Sequence, residues 1–115
     1  MKTSGNAKPI EFCGSALADL ARFPVTARRE AGFQLYQVQE GCDPDEWKPM
    51  NTIGEGVREI RIREKDGAVR VIYVAKFADA IYVLHCFQKK TQKTSPEDIA
   101  QAARRYKHLM QELKA

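Results

Sequence analysis

The sequence predicts an α+β fold in which helices cover one face of an antiparallel sheet. Apolar and polar residues alternate along much of the segment 57–93, as they do in strands with one buried face. The residues on either side of this segment instead repeat their apolar positions at helical spacing. A chain of 115 residues has the length of one domain, so we expect a single domain over 1–115.

The composition is that of an ordinary folded domain, with 43% hydrophobic and 30% charged residues. No run approaches the ~20 apolar residues of a membrane span, and the N-terminus lacks the apolar core of a secretion signal. The cysteines Cys13, Cys42 and Cys86 form no CxxC pair, which disfavours a zinc ribbon or a disulfide framework. We therefore expect a cytoplasmic protein without membrane contact, with reduced thiols, two of them buried in strands.

The chain up to Gly41 predicts a strand and a helical hairpin. The run 9–13 is short, partly apolar and followed by a glycine, which indicates a strand. Ser15 can cap a first helix that ends before Pro24. A second helix is expected from about Thr26, with Gly41 as its C-terminal cap.

The segment 42–56 predicts a loop, because it holds two prolines and two glycines and has no periodicity. We expect Trp47 to anchor this loop against the core. Lys48, beside it, can reach the polar face of the sheet or face water.

Three antiparallel strands follow, and the Asp66-Gly67 pair predicts the first hairpin turn between them. Counting outward from that turn pairs Arg63 with Arg70. One face then carries Glu59, Arg61, Arg63 and Arg70, and the core face carries Ile60, Ile62, Val69, Val71 and Tyr73.

A second turn is expected near 77–80. Pairing across it places His85 opposite Ile72 and Phe87 opposite Arg70, and a slip by one residue would exchange the faces. In this register the polar face gains Val83, His85, Phe87 and Lys89, and the core gains Tyr82, Leu84 and Cys86.

The last helix has a complete start signal. Ser95 fits the N-cap, Pro96 the first helical position and Asp98 the third. An apolar stripe follows at intervals of three and four residues: Ile99, Ala102, Ala103, Tyr106, Met110 and Leu113. The helix is expected to dock on the core or on a partner.

The polar face offers cations and an aromatic ring, which suit the phosphates and bases of single-stranded RNA. Its members are Arg61, Arg63, Arg70, His85, Phe87, Lys89 and Lys90. The alternative is a solvated sheet face whose charges protect the edge.

Proton transfer on this face has several candidates. The spacing of histidines and acids predicts no metal site, so the fitting reaction is cleavage of RNA by its own 2′-hydroxyl. His85 titrates in the right range, or is simply a packed residue, whereas Lys89 or Lys90 needs a lowered pKa. Glu59 is a further candidate base, or an ion-pair partner of Arg61 or Arg63.

Several motifs resemble those of a known family. EIRIR at 59–63 resembles its E-L-R-I type strand, and RVIY at 70–73 its R-x-I/L-Y strand. FQKKTQKTS at 87–95 resembles F-x-K-K-T-x-K-T-P with serine in place of the proline, and AARR at 102–105 its A-x-x-R helix. With WKPM at 47–50, the chain resembles the phage-derived, HigB-like branch of the RelE/ParE toxin superfamily over nearly its whole length.

The resemblance implies a RelE-like fold and the toxin of a type II toxin–antitoxin pair, a ribosome-dependent mRNA endoribonuclease without a cofactor. The implied partner is a helix-turn-helix antitoxin, and only the complex would bind operator DNA. The basic active site of the family corresponds here to Arg61, Arg70, Lys89 and Lys90. The C-terminal tyrosine of some relatives has no clear match here, so the general acid is His85 or a second cation, and we add His85 to the catalytic set. Substrate binding is assigned to Lys48, Arg63, Phe87 and Lys93.

Two other functions stay open on the sequence. One is a non-enzymatic toxin of the same fold, like the ParE branch that inhibits DNA gyrase. The other is a phage-derived accessory protein that binds nucleic acid without toxicity.

Overall fold

The computed structural model describes residues 7–90 and 93–114. Part of the motif run 87–95 and the start of the chain therefore lie outside the described residues. The α+β class is confirmed, and so is the predicted order of strand, two helices, three antiparallel strands and helix, with one short strand added. The elements are β1 (Ile10–Phe12), α1 (Ala16–Ala21), α2 (Val25–Gln39), β2 (Trp47–Pro49), β3 (Val57–Glu64), β4 (Gly67–Val74), β5 (Ile81–Lys89) and α3 (Pro96–Lys114).

The strands form one mixed sheet in the order β1-β5-β4-β3-β2. β1 runs parallel to β5, and the other neighbours are antiparallel. β2 was predicted as loop, because three residues that include a proline show no alternation. A proline is tolerated there because β2 is an edge strand. Trp47 pairs with Ile60 and lies under the guanidinium of Arg58, 3.9 Å from its ring centroid.

The predicted register of the β3–β4 hairpin is wrong by two residues, but its face assignment is confirmed. Arg61 pairs with Arg70 and Glu64 with Gly67, so the turn is Lys65-Asp66. A shift of two residues leaves every side chain on its face, because side chains alternate with a period of two. Gly67 is needed in β4, since a Cβ there would lie 2.6 Å from the carbonyl oxygen of Lys89.

In the β4–β5 hairpin, the predicted pairs Ile72 with His85 and Arg70 with Phe87 are confirmed. The register shifts between Ile72 and Tyr73, so that Tyr73 pairs with Val83 and Leu84 is the extra residue of a bulge. The prediction for 82–84 is therefore wrong. Val83 joins the core formed with α1 and α2, and Tyr82 and Leu84 join the core formed with α3.

The expectation that all helices cover one sheet face is wrong for α3. The first face packs against α1 and α2, through side chains such as Ile60, Val71 and Leu35. The second face carries Ile72 and other apolar residues, and α3 covers them. The reason is that the second face is polar at one end and apolar at the other, and the apolar end has to be buried.

The two predicted helix starts differ. Asp98 donates its backbone N–H to Ser95 Oγ at 3.1 Å, and Ser95 Oγ donates to Asp98 Oδ2 at 2.8 Å, so the cap of α3 is confirmed. Ser15 lies at the start of α1 but caps no backbone N–H. It accepts from Arg105 Nη2 at 2.9 Å and donates to Asp19 Oδ2 at 2.8 Å instead.

Of the cysteines, Cys86 alone is buried within a strand, whereas Cys13 is half-buried after β1 and Cys42 is exposed. Burial raises the pKa of Cys86 to about 12. Within the described part of the chain, no helix is both long and apolar enough to span a membrane.

Candidate active site

The end of the second face that α3 leaves open forms a shallow cavity of about 150 Å³. Arg61 stands directly opposite Arg70, and Lys89 stands opposite Ala68. Because Gly67 and Ala68 have little or no side chain, longer side chains around them enclose a space rather than fill it. The residues lining it are Glu46, Arg61, Ile62, Arg63, Gly67, Ala68, Arg70, Lys89 and Lys90. We call it the basic pocket, and it brings five of the predicted site residues together.

One carboxylate lies beneath the cations of the basic pocket. Glu59 is fully buried, and its Oε1 accepts from Arg70 Nη1 at 3.0 Å. The same oxygen lies 3.4 Å from Arg61 Nε, and Oε2 accepts from Thr94 Oγ1 at 2.5 Å. Arg70 is only 4% exposed, so this ion pair is shielded from water and from salt.

Lys89 lines the basic pocket, and its surroundings shift its pKa. Burial, followed by the positive charge of Arg70, lowers the pKa of Lys89 below the ordinary 10.5 of a lysine. Glu59 and Asp98 oppose the effect, but do not reverse it. Lys89 therefore holds more of the neutral amine near pH 7 than an exposed lysine does.

His85 and Phe87 lie beside the basic pocket, under α3, and do not line it. His85 Nε2 is 2.8 Å from Asp98 Oδ1, and its Nδ1 is buried without a hydrogen-bond partner in the described structure. Its ring stacks on Phe87 with centroids 4.8 Å apart. Phe87 is 9% exposed, so it offers little ring surface for stacking on a base.

The remaining predicted residues surround the basic pocket. Lys48 is exposed in β2, directly opposite Glu59, and Lys93 is exposed just before α3. Neither lines the cavity. Arg63 does line it, and its side chain is 84% exposed, with Glu46 at 3.4 Å. Exposed pairs of this kind contribute little to stability, so Arg63 can turn toward a phosphate at low cost.

Sequence reasoning missed Thr94, and it treated Asp98 only as a helix-capping residue. Thr94 contacts Glu59, 35 positions earlier in the chain, and no local pattern predicts that contact. The available signal was Glu59 itself, a carboxylate that alternates with arginines on one strand face. Among residues 7–90 and 93–114, no three His, Cys, Asp or Glu side chains are grouped so as to hold a metal ion.

Comparison with protein families matches residues 18–107 to the family described as "Phage derived protein Gp49-like (DUF891)". The chain belongs to this Gp49-like family. The matched range contains every residue that lines the basic pocket. The family is RelE/HigB-like and associated with toxin–antitoxin systems, so the resemblance seen in the sequence is confirmed at that level. Comparison with curated proteins gives no match.

Proposed function

We propose that this Gp49-like protein is the toxin of a type II toxin–antitoxin pair and acts in the cytoplasm as a ribosome-dependent mRNA endoribonuclease of the HigB-like branch. The observation that carries the proposal is the basic pocket, in which two arginines are held by a buried carboxylate beside a lysine of lowered pKa. Such a site offers fixed positive charge and an amine of lowered pKa at one phosphate-sized space.

The reaction is an intramolecular transesterification, in which a 2′-hydroxyl of the RNA attacks the adjacent phosphodiester. Side chains of the protein supply the base, the acid and the positive charge. The 2′-oxygen loses its proton to a base and bonds to phosphorus, while the bond from phosphorus to the 5′-oxygen breaks. An acid protonates that leaving oxygen. The products are a 2′,3′-cyclic phosphate and a 5′-hydroxyl. Guanidinium groups of Arg61 and Arg70 offset the negative charge that grows on the phosphate oxygens.

In this proposal Lys89 is the base and Lys90 the acid. The lowered pKa of Lys89 favours its neutral form, which is the form that accepts a proton. Lys90 is exposed and lines the same cavity, and its ammonium can donate. His85, paired with Asp98 and stacked on Phe87, supports β5 instead. Lys48, Arg63 and Lys93 guide the RNA backbone.

The experiment is single-turnover cleavage of mRNA positioned on ribosomes, with 5′ ends mapped. Wild type is expected to cut, and Lys89→Met to cut about 10²- to 10⁴-fold more slowly, the range for loss of a general base. Lys107→Met, on the exposed part of α3, is the matched control and is expected to cut normally. Intact mRNA at stoichiometric wild-type protein would overturn the proposal. Inhibited DNA supercoiling with intact mRNA would point to the ParE-like alternative.

The proposed partner is a helix-turn-helix antitoxin, whose complex with this protein binds operator DNA. The physical reason for a partner is that a pocket of five cations attracts cellular RNA without selection. Co-expression with the candidate antitoxin should restore growth and yield a complex that shifts operator DNA, whereas the protein alone should not. Operator binding by the protein alone would contradict this.

A further inference from the structure

We infer that Glu59 is a positioning residue of the basic pocket. It orients the side chains of Arg61 and Arg70 and connects them to the segment at the start of α3. The inference deepens the proposed function and rests on it. Glu59 was one of several candidate bases on the sequence, and the structure assigns it a different role.

Glu59 is poorly placed to take a proton from RNA. Its side chain has no exposed surface. Oε1 already accepts from Arg70 and lies near Arg61, and Oε2 accepts from Thr94. A general base needs contact with the proton it removes, within hydrogen-bond reach or through one water. A fully enclosed carboxylate with both oxygens engaged does not meet that condition.

The carboxylate instead orients two guanidinium groups that would otherwise repel each other. Arg61 and Arg70 stand opposite one another on neighbouring strands, and like charges in that arrangement are destabilising. Arg61 approaches Glu59 through Nε, which leaves its two terminal NH₂ groups for phosphate oxygens. Ordering an arginine side chain costs rotamer entropy, and Glu59 imposes that order before RNA arrives.

Thr94 extends this arrangement to the last helix. Its hydroxyl donates to Glu59 Oε2, and the next residue, Ser95, caps α3 together with Asp98. Asp98 in turn contacts His85 of β5. One carboxylate therefore joins β3, β4 and the start of α3, and the open end of the sheet keeps its shape through these contacts.

Because Glu59 is charged, its replacement should affect RNA binding and cleavage differently. That difference distinguishes a positioning role from a purely structural one. Glu59 contributes one negative charge beneath a pocket lined by five cationic side chains, and so lowers its net positive charge. Replacing it with the neutral isostere glutamine raises the net positive charge while it loosens the arginines. The affinity for an RNA backbone should then stay the same or increase while the cleavage rate falls. Affinity depends on the positive charge of the pocket, whereas the cleavage rate depends on the placement of the two guanidinium groups.

The test is Glu59→Gln in two assays. One measures single-turnover cleavage on ribosomes across pH, and the other measures binding of an oligonucleotide made uncleavable by 2′-deoxy substitution. We expect turnover to fall about 10- to 100-fold, less than the loss of a whole charge donor, with unchanged or tighter binding. The rise of the rate with pH should remain, because Lys89 is still the base, and it should level at a lower pH, because Glu59 no longer raises the pKa of Lys89.

Two variants accompany Glu59→Gln. Thr94→Val removes only the bond to Oε2 in a half-buried segment, so it is expected to fold and to lose about three- to tenfold in turnover. Glu64→Gln, on the same strand outside the basic pocket, is the control and should match wild type. Thermal unfolding of each variant shows that the compared proteins are folded.

Three results would overturn the inference. They are wild-type turnover in Glu59→Gln, loss of one limb of its pH profile, which would make Glu59 the base, and weaker oligonucleotide binding in parallel with the fall in turnover. If Glu59→Gln does not fold, undiminished turnover in Thr94→Val overturns the inference. Failure of the proposed function looks different, because wild type itself would then leave mRNA intact while oligonucleotide binding is still measurable in every variant.

Discussion

Arg70 is a guanidinium with only 4% of its surface exposed, and such a group is stable in a folded protein only when a counter-charge is buried with it. Glu59 is that counter-charge, at 3.0 Å. Substitution of Arg70 or Glu59 should therefore change both the free energy of unfolding and the cleavage rate. Double variants are needed to separate the two effects.

Arg70→Ala is expected to slow cleavage about 10²- to 10³-fold, because it removes a donor that stabilises the charge of the transition state. It also leaves the carboxylate of Glu59 buried without its main partner, which typically costs about 3–5 kcal/mol of unfolding free energy. Urea unfolding should show that loss, and Arg70→Ala with Glu59→Gln should recover part of it without restoring cleavage. Arg104→Ala, on exposed α3, is the control and should change neither quantity. Recovery of cleavage in the double variant would contradict a role for Arg70.

The lowered pKa of Lys89 predicts how cleavage depends on pH. Neutral Lys89 increases as pH rises, so the single-turnover rate should climb tenfold per pH unit until it levels at the pKa of Lys89, below 10.5. Lys89→Met should lose this slope. The same shift means that protonated Lys89 disfavours folding, and that this penalty is relieved as pH rises from the folded pKa to the unfolded value, since the unfolded chain binds more protons there. A rate independent of pH would exclude Lys89 as the base.

At the scale of elements, the start of α3 forms the helix cap that its sequence predicts. Ser95 Oγ accepts the backbone N–H of Asp98, which has no partner within the helix, and donates to the carboxylate of the same residue. Ser15 carries a similar sequence signal before α1, yet its hydroxyl contacts Arg105 and Asp19. The two serines therefore form a matched pair for measuring what a cap contributes.

Ser95→Ala is expected to lower the free energy of unfolding by about 1 kcal/mol, the usual loss for an N-cap. Ser15→Ala should lower it by no more than about 0.5 kcal/mol, because its contacts are exposed. Urea denaturation at one pH measures both. Equal losses in the two variants would show that the Ser95 cap does not stabilise α3.

At the scale of the whole molecule, the described residues form two cores, one on each side of the sheet. Ile60 and Ile72 are both fully buried, the first under α2 and the second under α3. A sheet with one wet face would bury only the first. The polar and apolar ends of the second face thus serve different purposes, because α3 buries one and the basic pocket occupies the other.

Ile72→Ala and Ile60→Ala are each expected to lower the free energy of unfolding by about 2–5 kcal/mol, as buried isoleucines do when truncated. Leu17→Ala, at a site 54% exposed, should stay within about 0.5 kcal/mol of wild type. The measurement is denaturant unfolding, in which an unchanged m-value shows that a shift of the midpoint reports a change in stability. A tolerated Ile72→Ala alongside a destabilising Ile60→Ala would contradict the second core.

The sequence by itself determined the α+β class, the order of the longer elements, the cap at Ser95 and which face of β3 carries Arg61 and Arg63. These follow from short-range rules, since alternation, helical spacing and capping each involve residues a few positions apart. Membership of the Gp49-like family agrees with the motifs read from the strands.

Only the tertiary structure decided the true β3–β4 register, the bulge at Leu84, the second core under α3 and the burial of Glu59. A register shift of two residues preserves every face, so alternation does not reveal it. The bulge changes faces within a run that reads as uniformly apolar. Glu59 meets Thr94 across 35 positions of chain, and the cost of burying its charge is balanced only where Arg70 and that hydroxyl arrive together.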